Sequence, residues 1–92
     1  MDITKNKIIC KHYGYDEQKA KAIEEMAELT IELVKPTSRE NLKSELADVL
    51  NCLHNLCLIC EIKVSDIEEV AEFKKDRQIT RIKNNSKDEY YE

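Results

Sequence analysis

Only one glycine, Gly14, and one proline, Pro36, interrupt this chain of 92 residues. These two residue types are the strongest breaks in helical backbone, so the long stretches between them are free to stay helical. With few β-branched runs beside them, the pattern predicts an all-α fold. Residues 3–12 are expected to form a short first helix that ends near Gly14. Asp16 is a candidate N-cap for a long helix reaching about Val34, and Pro36 stops it. Thr37 and Glu40 have capping-box spacing and open a second long helix to about Glu61. Ser65 and Glu68 repeat the box before a third helix that ends near Ile82. The expected architecture is a helical bundle of three long or medium helices plus a short N-terminal helix. The chain reads as a single domain over residues 1–92, with 83–92 a loose polar tail.

Two acidic runs stand out within these helices, Glu24-Glu25-Met26-Ala27-Glu28 and Glu45-Leu46-Ala47-Asp48. At about 100° per residue, Glu25 and Glu28 share one helix face, and so do Glu45 and Asp48. Like charges at that spacing repel by a few tenths of a kcal/mol per pair. Two neighbouring helices with the same defect point to a cation between them, and oxygen ligands suit a hard divalent ion.

The apolar residues show how the acidic edges meet. Ala22, Ile23, Met26, Ala27, Leu29, Leu33 and Val34 cover more than half of the first long helix, with Glu25, Glu28 and Glu32 along one edge. Leu42, Leu46, Val49, Leu50, Leu53, Leu56 and Cys57 are core candidates on the second, with Glu45, Asp48 and Asn55 on its margin. The short connection over residues 35–38 makes the two helices antiparallel neighbours and brings their acidic margins together. Apolar surface in excess of what one bundle needs implies that the fold is completed by oligomerisation. On the third helix, Ile67, Val70 and Ala71 start a stripe that continues as Lys74, Arg77 and Arg81. Such cations either stay solvated near the helix C-terminus, where they suit its dipole, or grip phosphate oxygens.

Composition removes several classes. A net charge of −4 gives no basic surplus to neutralise a nucleic-acid backbone. No apolar run approaches the roughly 18 residues of a membrane span, and the N-terminus lacks the apolar block of a signal peptide. A cytoplasmic protein is expected. Cys57 and Cys60 have C-x-x-C spacing but sit in an apolar helical stretch without turn residues or a second pair, so a zinc knuckle is disfavoured. All four cysteines, Cys10 and Cys52 included, read as reduced thiols that pack as small hydrophobes. His12 and His54 lack a Glu three residues before them, which a di-iron bundle would need, and read as structural or surface residues. Tyr13 and Tyr15 either pack at a helix entry or offer a ring face for stacking.

The pattern Glu-Glu-x-x-Glu at 24–28, a gap of sixteen residues (29–44), then Glu-x-x-Asp at 45–48 resembles the MazG-type all-α nucleoside triphosphate pyrophosphohydrolases. Tyr13-Gly14-Tyr15 resembles the lead-in of that family, and Asn55 matches an asparagine seven residues after its second motif. The likeness spans roughly residues 10 to 82. It implies that Glu25, Glu28, Glu45 and Asp48 bind Mg²⁺, with Mn²⁺ as a substitute. Glu24 would orient a water, and Glu24, Glu25 and Glu28 form the catalytic set, with Glu25 and Glu28 both open as the base. Asn55 would contact substrate or a metal-bound water, and Lys74 and Arg77 would face the phosphates. The family also implies a homodimer or homotetramer.

The chemistry expected is hydrolysis of a (deoxy)nucleoside triphosphate to a nucleoside monophosphate and pyrophosphate, clearing a nucleotide from the pool. Positioning and electrostatics carry such reactions, with a metal-bound water as nucleophile. The alternative is a non-catalytic helical oligomer that serves as a nucleotide-binding or protein-interaction module.

Overall fold

Gly14 divides the first long helical stretch into two arms, because the backbone leaves the helical region there. In the computed structural model, which describes residues 2–85, α1 runs from Thr4 to Val34, α2 from Arg39 to Ile59 and α3 from Val64 to Asn85. No strand occurs among the described residues. The short first helix and the long second one expected from sequence are the two arms of α1. They meet at Gly14, whose φ of 80° and ψ of 178° lie in a region that essentially only glycine occupies. Asp16 thus falls just past the bend, inside α1.

The turn into α2 differs from expectation by one residue. Ser38, with extended backbone, is the N-cap, and its hydroxyl accepts from the Asn41 backbone N–H at 3.0 Å. Thr37 is occupied elsewhere: its backbone N–H donates to Glu32 Oε2 at 2.8 Å and its hydroxyl to Glu32 Oε1 at 3.0 Å. Glu32 thereby ties the end of α1 to the start of α2. Glu40, released from the expected capping box, pairs with Lys43 at 3.2 Å.

At its other end α2 closes in a Schellman turn. The Ile62 backbone N–H reaches the Cys57 carbonyl at 2.9 Å, and the Glu61 N–H reaches Leu58 at 3.3 Å. Glu61 occupies the left-handed position of this turn with φ 57°, a place usually taken by glycine.

Residues up to Ile62 form one compact unit, and those from Lys63 form a second. In the first unit α1 and α2 are antiparallel. Asn6 and Gln18 of α1 both bond Asn55 near the end of α2, while Glu25, further along α1, lies beside Asp48 and Glu45, further back on α2. The seam is thin and half polar: Ala22, Cys52 and Cys57 are buried together with Gln18, Glu25 and Asn55.

Here the expected core is corrected. Ile23, Met26, Leu33, Val34, Leu46, Leu50 and Leu53 are all exposed, and Leu29, Leu42, Val49 and Leu56 are only half-buried. Two helices cover one stripe of each other, and the apolar arcs on α1 and α2 are wider than that stripe.

The second unit consists of α3 and is described by itself. Its first turn is anchored by the Lys63 carbonyl, which accepts from the Asp66 and Ile67 N–H groups. Ser65 therefore lies inside the helix and not at its cap. α3 continues past the expected end at Ile82 to Asn85, with Lys83 in a last turn where positive charge suits the helix dipole. The remainder of the expected tail, 86–92, lies outside the described residues.

Candidate metal centre and its cleft

Three carboxylates meet where the two helices run side by side. Glu25, Glu45 and Asp48 each offer one oxygen, and these oxygens all lie within 4.8 Å of one another. The spacing of three residues puts Glu45 and Asp48 on one face of α2, and the antiparallel seam sets that face against Glu25. Glu25 is only 5% exposed, and Glu45 is half-buried. One oxygen of each, Glu25 Oε2 and Glu45 Oε2, is buried without a hydrogen-bond partner. Like charges at this separation repel by on the order of a few kcal/mol per pair even in a partly solvated site. Crowded anionic oxygens with orphaned lone pairs are what a hard divalent cation satisfies, so the donor set fits one.

Glu28 stands next to this group. The negative charge of Glu25, then burial, raises its carboxyl above the ordinary range, and Glu45 and Glu24 add to the shift. Glu25 moves the other way, because the Lys21 ammonium donates to it at 2.8 Å and holds it low. Glu24 is exposed, with Oε1 at 3.8 Å from Lys21 Nζ. Of the four carboxylates expected as ligands, the structure gathers Glu25, Glu45 and Asp48, with Glu28 at their side.

A cleft of about 440 Å³ opens from the acidic group. That volume is in the range of small-molecule sites. Ile9, Tyr13 and Gln18 line one wall, Asn51, Cys52 and Asn55 another, and Lys21, Glu25 and Asp48 are also at its surface. The bend at Gly14 aims the first arm of α1, with Ile9 and Tyr13, along this cleft. Asn55 holds the wall in place. Its Oδ1 accepts from Asn6 Nδ2 at 2.9 Å, its Nδ2 donates to Gln18 Oε1 at 3.0 Å, and its backbone carbonyl accepts from the Cys10 thiol at 3.5 Å. One amide hydrogen and one carbonyl lone pair are left over on its side chain.

Sequence reasoning missed Lys21, Gln18 and Asn51. Each was signalled by spacing alone: Gln18 and Lys21 precede Glu25 by seven and four residues, and Asn51 follows Asp48 by three. Tyr15 is not a lining residue and lies under the Lys19 ammonium at 5.9 Å, while His12 packs edge-on against Tyr13 at 4.6 Å. Neither His12 nor His54 lines the cleft. Cys52 does, and burial followed by the charge of Glu25 pushes its thiol pKa up, which opposes a nucleophilic thiolate. Lys74 and Arg77 are exposed on α3, with the Arg77 guanidinium over the Phe73 ring at 5.9 Å.

An all-α chain that opposes Glu-x-x-Asp to Glu-Glu-x-x-Glu across a helix pair carries a carboxylate donor set suited to a divalent cation beside a ligand-sized cleft. The family model for the MazG nucleotide pyrophosphohydrolase domain matches residues 14–86, most of the sequence, and the chain belongs to that family. No curated protein and no solved structure matches it. No helix among the described residues is long and apolar enough to cross a membrane.

Proposed function

We propose that the chain acts as a single MazG domain that hydrolyses the α–β phosphoanhydride bond of a (deoxy)nucleoside triphosphate, releasing a nucleoside monophosphate and pyrophosphate. The observation that carries this reading is the meeting of Glu25, Glu45 and Asp48 at one end of a ligand-sized cleft, with two buried carboxylate oxygens left unpartnered.

Glu25, Glu45 and Asp48 would hold Mg²⁺, or Mn²⁺ in its place, with Glu28 beside them as a further carboxylate. The bound ion supplies charge neutralisation on the phosphates and a lowered pKa for a coordinated water. The chain's own groups do the rest. Glu25 is committed to the gathered acidic group, so Glu28 is the carboxylate left to take the proton from an attacking water. As the new P–O bond forms, the bridging P–O bond breaks and pyrophosphate departs with its electron pair. Glu24, on the same helix turn, would orient that water. Asn55 would use its spare amide hydrogen on the substrate, and Tyr13 would pack against the nucleoside. The family resemblance would also give Lys74 and Arg77 of α3 a phosphate-binding role.

The exposed apolar residues Ile23, Leu33, Val34, Leu46, Leu50 and Leu53 support a homodimer or homotetramer, because monomers seldom leave so many on one helix pair. Four free thiols, Cys10, Cys52, Cys57 and Cys60, suit the reducing cytoplasm. Purified protein incubated with Mg²⁺ and a panel of standard and modified (deoxy)nucleoside triphosphates should release pyrophosphate from at least one of them, and chelation should stop the release. No release from any member would favour the alternative, a helical oligomer that binds nucleotide or a protein partner without chemistry.

A further inference from the structure

Among the described residues one basic side chain, Lys21, lines the cleft. Lys21 sits one turn before Glu25 on α1, and its Nζ is 2.8 Å from Glu25 Oε1 and 3.8 Å from Glu24 Oε1. Its carboxylate partner is almost fully buried, whereas the lysine side chain is 53% exposed. The ammonium therefore rides on a flexible four-carbon stem that the surrounding packing does not fix. Among the described residues at the cleft surface it is the sole cation, against Glu17, Glu25 and Asp48. A single ammonium leaves the acidic group under-compensated, as the orphaned Glu25 Oε2 and Glu45 Oε2 record.

We infer that Lys21 is a two-position cation: it neutralises Glu25 in the empty cleft, and turns onto a substrate phosphate oxygen when Glu25 engages a divalent ion. The inference rests on the hydrolase reading of the same site. Two features of the pair carry it. Lys21 bonds the most buried member of the acidic group through Oε1, so a divalent ion on Glu25 and the ammonium compete for the charge of one carboxylate. The cleft must also accept several negative phosphate charges, and an ammonium displaced from Glu25 stays at its surface. A lysine in a purely structural pair would help hold the metal ligands in position. A two-position lysine instead weakens metal binding in the absence of nucleotide and strengthens nucleotide binding in the presence of metal.

These opposite signs give the test. Mn²⁺ binding to the free protein is measured by calorimetry for wild type, Lys21→Met and Lys21→Arg. Binding of non-hydrolysable α,β-methylene triphosphates of the common bases is measured in parallel with Mg²⁺ present. Lys21→Met is expected to bind Mn²⁺ several-fold more tightly and the best analogue on the order of tenfold more weakly, the scale of one hydrogen bond to a charged group. Lys21→Arg, which keeps the charge, is expected to restore most of the analogue affinity. Weaker or unchanged Mn²⁺ binding in Lys21→Met, or unchanged analogue affinity, overturns the inference. Failure of the hydrolase reading is seen separately, as wild-type protein that neither binds an analogue nor releases pyrophosphate. Loss of helicity by circular dichroism in both variants would make the pair structural and also overturn the inference.

Discussion

Asn55 near the end of α2 donates through Nδ2 to Oε1 of Gln18 on α1 at 3.0 Å, and both side chains are 5% exposed. This bond crosses the seam and ends a short relay that starts at Asn6. Replacing Asn55 with alanine removes both bonds and strands the Gln18 amide oxygen in a buried place. An unsatisfied buried polar group costs about 1–3 kcal/mol, and the lost Asn6 bond adds roughly 1 kcal/mol. Urea unfolding of Asn55→Ala should therefore show a loss of about 2–4 kcal/mol. A change within 0.5 kcal/mol would mean that the relay carries no stability.

Gly14 is required by its backbone and not by its surroundings. No atom lies within 4 Å of the place where a Cβ would stand, so alanine there meets nothing. The cost of Gly14→Ala is then the torsional one at φ 80°, ψ 178°, on the order of 1–3 kcal/mol. If the variant straightens α1 to escape that strain, Asn6 and Cys10 leave Asn55, and the first arm loses its hold on α2. Hydrogen exchange would then show faster exchange over residues 4–13 than over 20–34. Uniform protection along α1 would contradict the role given to this bend.

The sequence made the first two helical stretches legible because Gly14 and Pro36 mark their breaks and the acidic pairs repeat at helical spacing, whereas the break at Glu61 carries neither residue. The convergence of Glu25 with Glu45 and Asp48 was legible for the same reason, since a short turn at Pro36 forces the two faces together. What it hid depends on relationships between helices or on competition for one partner. Thr37 looked like a cap, but Glu32 claims it and Ser38 takes its place. Lys21 shares its helical spacing to an acidic residue with other lysines, and the burial of Glu25 is what distinguishes it. Periodicity located the apolar faces of Leu46, Leu50 and Leu53, yet it contains no information about what covers them.

The acidic group makes a prediction that separates metal binding from folding. Asp48→Asn removes one of three negative charges that repel one another, so the metal-free protein should be no less stable than wild type. The same change removes an oxygen donor from the cation. Wild-type protein should gain about 1.4 kcal/mol of stability at a Mn²⁺ concentration ten times its dissociation constant. Asp48→Asn should show little gain at that concentration and no pyrophosphate release. Glu28→Gln is expected to lose turnover while keeping much of the Mn²⁺ stabilisation, since Glu28 stands beside the three gathered oxygens. Thermal melts with and without Mn²⁺ measure both. An Asp48→Asn protein that unfolds more readily without metal would make this carboxylate a structural element.

Glu32 sets a pH dependence whose sign follows from its bonds. The Thr37 backbone N–H, the largest influence, holds the Glu32 carboxyl below its ordinary value, and the Thr37 hydroxyl adds to this. A carboxyl depressed in the folded state binds its proton less readily there than in the unfolded chain, so folding is favoured while it stays ionised. Its contribution is fully present above the unfolded value of about 4.3 and disappears as pH falls through the lower folded value. Glu32→Gln cannot ionise and loses this contribution at every pH. Denaturant midpoints for the two proteins should differ by a constant amount above about pH 5.5 and converge as the solution is acidified. Glu28, raised by Glu25, works in the opposite sense, so Glu28→Gln should gain on wild type as pH rises through the carboxylate range. Parallel midpoints for wild type and Glu32→Gln down to pH 3 would show that the Thr37 bonds do not survive in solution.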